Sequence, residues 1–549
     1  MPASAEASHF LSACTDVASV QERLLRDEIL VPNARSAYGE AHGFASVGGL
    51  DDYRRRVPLV GYEQLRPAVE RMVRGEPGVL TAERPVAFFK TSGSLAAPKL
   101  IPVTPSFARD KARAFGIFWH MVHRDHPALR RGKWIANFGD GGQAAHSPAG
   151  VDVLSETSFW NRRMQGLQAW AGWPLPAGLR TIPDHALRYY AVARLALAGP
   201  LHGIMCLNPS TLLLLCRTIA RHRAALVRAI RHGELGYPGE ADVDIVAALR
   251  PHLKAEPARA RQLERALGGD AEVPLERVWP ELELIVCWQS EAVEPYLRQL
   301  EPYLSGVGRR DYISQASECI MAIPLADGAA GGPLPYTCHF FEFIPESALE
   351  AAAPDTLLAW ELEEGRTYEL VVTTSGGLYR YRMGDCFRVT GFRGRVPLLE
   401  FLYRGGKTAS ITGEKLTEYQ VLEAARRAAA TSGVMPGEFL CFPRSGPEPH
   451  YGVLLNGSPD APRGLARWLA GLDTALAAVN GEYAEKRRSG RLGSPIGLFI
   501  GRDGFEAYRC RLARDGVSEE QVKIGVLTRT LDLDAAFAVQ QVIHARYGV

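Results

Sequence analysis

An α/β fold in two domains is what this sequence predicts, and three observations carry it. From Pro85 onward, short apolar runs rich in β-branched and aromatic residues alternate with long helical stretches, as helices packed on buried sheet require. No period of roughly 20–50 residues repeats, which excludes a solenoid or a propeller. Around 404–410 the run YRGGKTAS, which starts at Tyr403, has paired glycines and polar residues and interrupts the alternation. It reads as a hinge between a large N-terminal mixed α/β domain of sheets and surrounding helices, residues 1–404, and a small mobile C-terminal α/β domain, residues 405–549.

In chain order, the opening stretch MPASAEASHFLSACTDVASVQERLL lacks the basic start and long apolar middle of a signal peptide and is expected to form an amphipathic helix. Helices joined by polar turns are expected to continue to about residue 85, as in SVQERLLRDEILVPNARSAYGEAHGF. The runs VAFFK, KWIAN, LELIVCW, TCHFFEFIP, TYELVVTT and FRVTGF read as strands. PSTLLLLCRTIARHRAALVRAIRHG and AVEPYLRQLEPYL read as helices. The most apolar stretch, Ala191 to Leu207, is broken by Arg194, Gly199, Pro200 and His202. A membrane span needs about 20 mostly apolar residues, so this stretch is expected to be a buried helix running into a strand. Beyond the hinge come a short strand and a long helix, Glu418 to Ala430.

Composition narrows the function classes. Over 549 residues, 46% are hydrophobic and 23% charged, which excludes wholesale disorder. Lys+Arg is 63 against 61 for Asp+Glu, so a net +2 gives no electrostatic reason to expect nucleic acid or an anionic membrane as partner. The nine cysteines are scattered without a C-x-x-C pair, which fits a reducing, cytoplasmic compartment and argues against disulfides or zinc. His120, His123 and His126 share one helical stretch, but no carboxylate or cysteine pattern completes a metal site there. Cys287-Trp288 closes an apolar run and is expected in the core. Only nine of the 63 basic residues are lysine. A lysine inside a motif is therefore a candidate for the compact ammonium that a phosphate or a reacting carboxylate calls for.

Three segments carry chemistry. In FFKTSGSLAAPKLIPVT, residues 88–104, an apolar run ends in Thr91, Ser92, Gly93 and Ser94, with Lys99 close behind. Small hydroxyl residues and free backbone N–H groups can surround a phosphate, or simply make a turn. The pattern is not a Walker loop; Gly406-Lys407-Thr408 imitates its tail, but Phe401 stands where the first glycine belongs. In GLYRYRMGDCFRVTGF, residues 377–392, Asp385 follows Gly384 at an expected strand-to-strand turn. There it could accept two hydrogen bonds from a ribose diol, or cap a hairpin whose cations face solvent. In ISQASECIMAIP, residues 313–324, Ser317 and Glu318 precede an apolar run. Glu318 could bind Mg²⁺ or cap the element that follows.

The order and spacing of these segments resemble the adenylate-forming superfamily, and more closely the Gretchen Hagen family of auxin-responsive acyl acid amido synthetases, of bacterial type. The resemblance runs over nearly the whole chain. It begins at LLRDEILVPNARSAYGEAHGF and RRRVPLVGYEQLRPAVERMVRGEPGVLT, passes through WPELELIVCW, SECIMAIPL, FFEFIP, YELVVTTSGGLYRYRMGD and FLYRGGKTASITGEKLTE, and ends at GVSEEQVKIGVL.

The resemblance implies an adenylate-forming fold, with ATP and Mg²⁺ required. It implies that Thr91, Ser92, Gly93 and Ser94 hold the ATP phosphates beside Lys99. It further implies that Ala316, Ser317 and Glu318 lie at the α-phosphate, with Glu318 on Mg²⁺. Tyr381 and Asp385 would bind the nucleotide, Asp385 through the ribose hydroxyls. Arg404 would contact it at the hinge, and Lys523 would be the C-terminal lysine that enters the site for adenylation. An acyl pocket would include Phe118, Met121, Ile204 and Leu207. Leu95 and Ala96 depart from the family's phosphate loop, Ser314 from its adenine-stacking tyrosine, and Glu291 from a glycine near the nucleotide. The implied reaction joins a small carboxylic acid to an amine, expected to be an amino acid, through an acyl-adenylate. A thiol acceptor such as coenzyme A, or a non-catalytic acyl- or nucleotide-binding relative, remain the alternatives.

Overall fold

The computed structural model describes residues 2–545 apart from 91–98, 137–144, 161, 164–174, 177–178, 180–181, 270–271, 291–292, 350, 352, 405–407, 413, 415, 435, 446–447, 457–461, 515–524 and 531–532. It divides into two compact units, one of Met1–Ser290 with Leu300–Phe401 and the other of Glu291–Gln299 with Leu402–Val549.

The first unit begins with the expected helices, Pro2–Ser12 through Tyr62–Val73, including a π-helical segment at Leu24–Leu30. Three main sheets follow. The first is mixed: Ala87–Lys90 pairs antiparallel with Leu100–Val103 and parallel with Asp152–Leu154. The second is wholly parallel, in the order Trp134–Ala136, Gly203–Met205, Leu284–Val286 and Gly308–Arg310. Its first three strands are buried at every position, as apolar runs covered on both faces should be. Gly203 is fixed there by sterics, because a Cβ would overlap the Trp134 indole on the neighbouring strand. The stretch from Ala191 resolves as expected into the end of the buried helix His185–Leu197 and the strand Gly203–Met205. The third sheet has six strands, in the order Gly332–Pro333, Val396–Arg404, Tyr381–Arg393, Thr367–Thr373, Phe340–Pro345 and Leu357–Leu358.

The helix Pro105–Asp125 connects these layers. Thr104 caps it by accepting the Phe107 N–H, and Pro105 fills its first turn, where no N–H is needed. Phe107, Lys111, Ala114, Phe118, Met121 and Val122 make its buried face at helical spacing.

In the second unit a four-stranded sheet, Phe439–Arg444, His450–Leu455, Ile496–Phe499 and Gln541–His544, is covered by the helices Glu418–Ser432 and Pro462–Val479. A capping box of Thr417 and Gln420 opens the helix Glu418–Ser432, and left-handed Gly433 closes it two residues past the expected end. From 291–299, Tyr296 donates to Glu438 at 2.9 Å, and Arg509 bonds both side chains. No helix among the described residues is long and apolar enough to cross a membrane. All nine cysteines are free, and Cys287 is fully buried as expected.

Candidate nucleotide and metal site

The strands Ala87–Lys90 and Leu100–Val103 form a ladder in which Lys90 pairs with Leu100. Lys90 and Leu100, which flank 91–98, are thus held side by side. Thr91, Ser92, Gly93 and Ser94, with the departures Leu95 and Ala96, lie outside the described residues. Their flanks are placed. Phe88 and Phe89 are fully buried, and Leu100 is tied by its N–H to the Tyr62 hydroxyl at 2.7 Å. Lys99 donates to the Tyr381 hydroxyl at 3.3 Å, with its ammonium 5.5 Å from the Tyr62 ring centre. Two residues 282 apart in sequence, Lys99 and Tyr381, therefore meet.

The second element is a hairpin. Ser314–Gln315 pairs antiparallel with Ile320–Ala322, and the turn between them is closed by N–H donation from Ala316 to Cys319 O at 2.9 Å and from Cys319 to Ala316 O at 3.2 Å. The element after Glu318 is thus a strand, so a helix-capping role for Glu318 has no helix to cap. Glu318 is 2% exposed, and among the described residues its carboxylate has no hydrogen bond or ion pair. Ser314, Ala316 and Ser317 are half-buried.

Asp385 sits differently from expectation. Gly384 and Asp385 do not join two strands; they lie inside the strand Tyr381–Arg393. The turn comes earlier, where Gly377 donates to Thr374 O and Thr374 to Leu378 O. Across the ladder Glu369 faces Cys386 and Val371 faces Arg382, so Met383, Gly384 and Asp385 oppose Leu370 alone. This is a bulge, and Gly384 takes the positive φ of 73° that it demands. The Glu369 carboxylate stitches it by accepting from the Gly384 N–H at 3.3 Å and from Arg382 at 2.6 and 3.0 Å. The neighbouring cation is not at the surface either. Arg380, 6% exposed, forks onto the Glu342 carboxylate at 2.9 and 3.0 Å.

Glu318 and Asp385 both bear electrostatically on Cys319. Burial pushes the Cys319 thiol well up; the Lys111 ammonium opposes the rise, and the Glu318, Asp385 and Glu156 carboxylates add to it. One buried sulfur therefore feels the hairpin carboxylate and the bulge carboxylate together. Both are buried, and both are hard oxygen donors of the kind Mg²⁺ takes. Among the described residues no group of three or more His, Cys, Asp or Glu could hold a metal ion by itself, so any Mg²⁺ here would have to arrive with further oxygen donors, as a nucleotide's phosphates supply.

Arg404 ends the strand Val396–Arg404, with its side chain outside the described residues, as are Glu291 and Lys523. Of the acyl-pocket candidates, Phe118, Met121 and Ile204 are fully buried and Leu207 half-buried. Phe118 and Leu207 join the large core cluster, and the Phe118 ring lies edge-on to Tyr312 at 6.1 Å, close to the hairpin. Lys111, Glu156 and Tyr62 were not singled out from sequence. The available signal for Lys111 was a rare lysine at i+4 from Phe107 on an apolar helix face.

Three family profiles match the chain: the GH3 family N-terminal domain over residues 6–308, the central domain over 333–404 and the C-terminal domain over 419–531. A probable indole-3-acetic acid-amido synthetase GH3.1 of Oryza sativa subsp. japonica is 27% identical over 477 residues, 80% of this chain and 77% of that protein. A probable indole-3-acetic acid-amido synthetase GH3.1 of Arabidopsis thaliana is 25% identical over 558 residues, 95% of this chain and 91% of that protein. The solved structure of AtGH3.15 acyl acid amido synthetase in complex with 2,4-DB shares the fold, with a TM-score of 0.85 and 22% identity over 98% of this chain and 97% of that one.

Proposed function

This chain belongs to the GH3 family, and on that footing we propose that it is an ATP-dependent ligase that adenylates a small carboxylic acid and passes the acyl group to an amine. In the first half-reaction a carboxylate oxygen attacks the α-phosphorus of ATP, forming acyl-adenylate and releasing pyrophosphate. In the second an amine, read here as that of an amino acid, attacks the acyl carbon. The amide forms, AMP leaves and the amine proton is released. The names of the relatives, indole-3-acetic acid-amido synthetases, support an acid and an amino acid as the substrates.

The match of GH3 family profiles along the chain is the observation that carries this reading, and the burial of Glu318 and Asp385 supports it. A magnesium nucleotide would bring positive charge to Glu318 and ribose hydroxyls to Asp385. In this reading Glu318 holds Mg²⁺, which neutralises phosphate charge when bound. Asp385 accepts from the ribose diol, and Ala316 and Ser317 line the α-phosphate. Lys99, oriented by Tyr381 and Tyr62, lies at the exit of 91–98, where Thr91, Ser92, Gly93 and Ser94 would cradle the phosphates. Arg404 at the hinge, and a C-terminal domain that carries Lys523 in for adenylation and withdraws it for amide formation, complete the proposal. Nine free thiols support a reducing, cytoplasmic setting.

The test is acid-dependent exchange of labelled pyrophosphate into ATP over a panel of acids, followed by screening amines and coenzyme A as acceptors. Exchange with amide formation is expected. Exchange with thioester alone would turn the reading to a thiol ligase, and no exchange with any acid would reject adenylation. Lys523→Ala should lose about 10²-fold in exchange yet still convert a supplied acyl-adenylate with amine.

A further inference from the structure

Lys111 is fully buried, and its ammonium binds in two directions at once. It donates to Glu156 Oε1 at 2.6 Å and to the Ala316 carbonyl at 2.7 Å. The Phe89 and Phe107 rings lie 5.5 Å from it, so aromatic faces meet the cation as well. Glu156 is itself fixed by Trp160, whose indole N–H donates to the same oxygen at 3.2 Å.

These contacts join parts of the chain that the proposed chemistry needs together. Phe89 stands in the strand that enters 91–98, and its partner Leu154 is two residues before Glu156. Ala316 opens the turn that presents Glu318, and its carbonyl already accepts the Cys319 N–H that closes that turn. A buried ion pair is weak evidence for stability, since an apolar pair of similar volume often does as well. An apolar pair could not donate to Ala316 O. Nor could it set a positive charge beside Cys319, where the Glu318, Asp385 and Glu156 carboxylates all act.

We propose that Lys111 is a positioning residue for adenylation: through the Ala316 carbonyl it holds the Ala316–Cys319 turn in the shape that presents Glu318 to the metal nucleotide. The proposal rests on the adenylation reading for its consequence, but the hold on the turn can be measured separately.

Lys111→Met and Glu156→Gln remove the same ion pair, but only the first removes the bond to Ala316. The double variant removes both charges, and the glutamine amide oxygen that replaces the Glu156 carboxylate can still accept from Trp160. Lys111→Met and the double variant should raise KM for MgATP in pyrophosphate exchange about tenfold or more, leaving KM for the acid within about twofold. Glu156→Gln should stay near wild type in exchange. Amide hydrogen exchange across 314–322 should quicken about tenfold in the same two variants and in no other strand, while the double variant melts near the wild-type temperature. Equal effects of the two single substitutions, or a double variant with wild-type exchange and wild-type protection of 314–322, would overturn the proposal. A variant that fails to fold leaves the decision to the remaining ones, since any folded chain lacking Lys111 must show the loosened turn. A wild-type chain without pyrophosphate exchange would sink the adenylation reading instead, and amide exchange would still decide whether Lys111 holds the turn.

Discussion

Two clusters of buried charge lie in the first unit, and they are built in opposite ways. Around Arg380 the guanidinium donates to both Glu342 oxygens, to Thr356 Oγ1 and to the carbonyls of Arg54 and Val57. Glu342 in turn accepts from Arg54 and from the Thr356 hydroxyl. Around Cys319 the Glu318 carboxylate has no bond or ion pair among the described residues, although it is as deeply buried. The first cluster is closed and reads as architecture. It even holds Arg380 at φ 44°, a left-handed conformation worth roughly 1–2 kcal/mol of strain in a non-glycine residue. The second leaves Glu318 without a partner among the described residues, as the proposed magnesium nucleotide would require. A satisfied network specifies a fold, whereas an unsatisfied carboxylate asks for something from outside.

The contrast can be broken at either end. Arg380→Met should unfold the chain most, by about 3–5 kcal/mol, because Glu342 is left charged and buried; a denaturant titration reads it, and a loss below about 1 kcal/mol would remove the architectural role. Glu318→Gln should do the reverse, cutting pyrophosphate exchange by about 10²–10³-fold while the melting temperature holds or rises. A melting temperature that falls with exchange intact would make Glu318 structural too. Asp385→Ala should weaken ATP binding by roughly 1.5–3 kcal/mol in calorimetry while the chain still folds, because Glu369 holds the bulge at Gly384 and Arg382. Unchanged ATP affinity in the folded variant would unseat it.

The smallest effect concerns Asp110. Burial raises its carboxyl from 3.8 to about 7, against the pull of the Ser375 hydroxyl bond and the nearby Arg113 and Arg109, while Glu28 adds to the rise. Folded, it therefore binds more protons than unfolded between those values, so stability should fall as pH rises from about 4 to about 7. Asp110→Asn, still able to accept from Ser375, should make melting temperature fall less steeply over that window. An unaltered slope would show that Asp110 is charged throughout.

Much of this was legible in the chain. VAFFK, LELIVCW, TCHFFEFIP and TYELVVTT read as strands because β-branched and aromatic runs suit a pleated, buried surface, and a strand forms within each. Asp385 could be singled out as a candidate carboxylate but its setting could not be read, since a glycine at positive φ marks a bulge and a turn with the same letters. Arg380 looked like a surface cation because nothing local announces Glu342, 38 residues away. Lys111 escaped because its partners Glu156 and Ala316 lie 45 and 205 residues away. Local pattern reports what a residue can do; tertiary distance decides whether it does.

The bulge also bears on how this stretch can change. Between Arg382 and Cys386 the strand carries two more residues than its partner between Val371 and Glu369. Because side chains alternate, an even surplus leaves the inward and outward faces in phase, and Phe387 and Val389 stay buried beyond it. A deletion of one codon here would turn the rest of the strand inside out. Losing two would restore a regular ladder and remove Asp385's perch while sparing the sheet. The segment can thus change length without disturbing the sheet only in steps of two, which makes length, as well as residue identity, a mark to look for when the chain is set beside others.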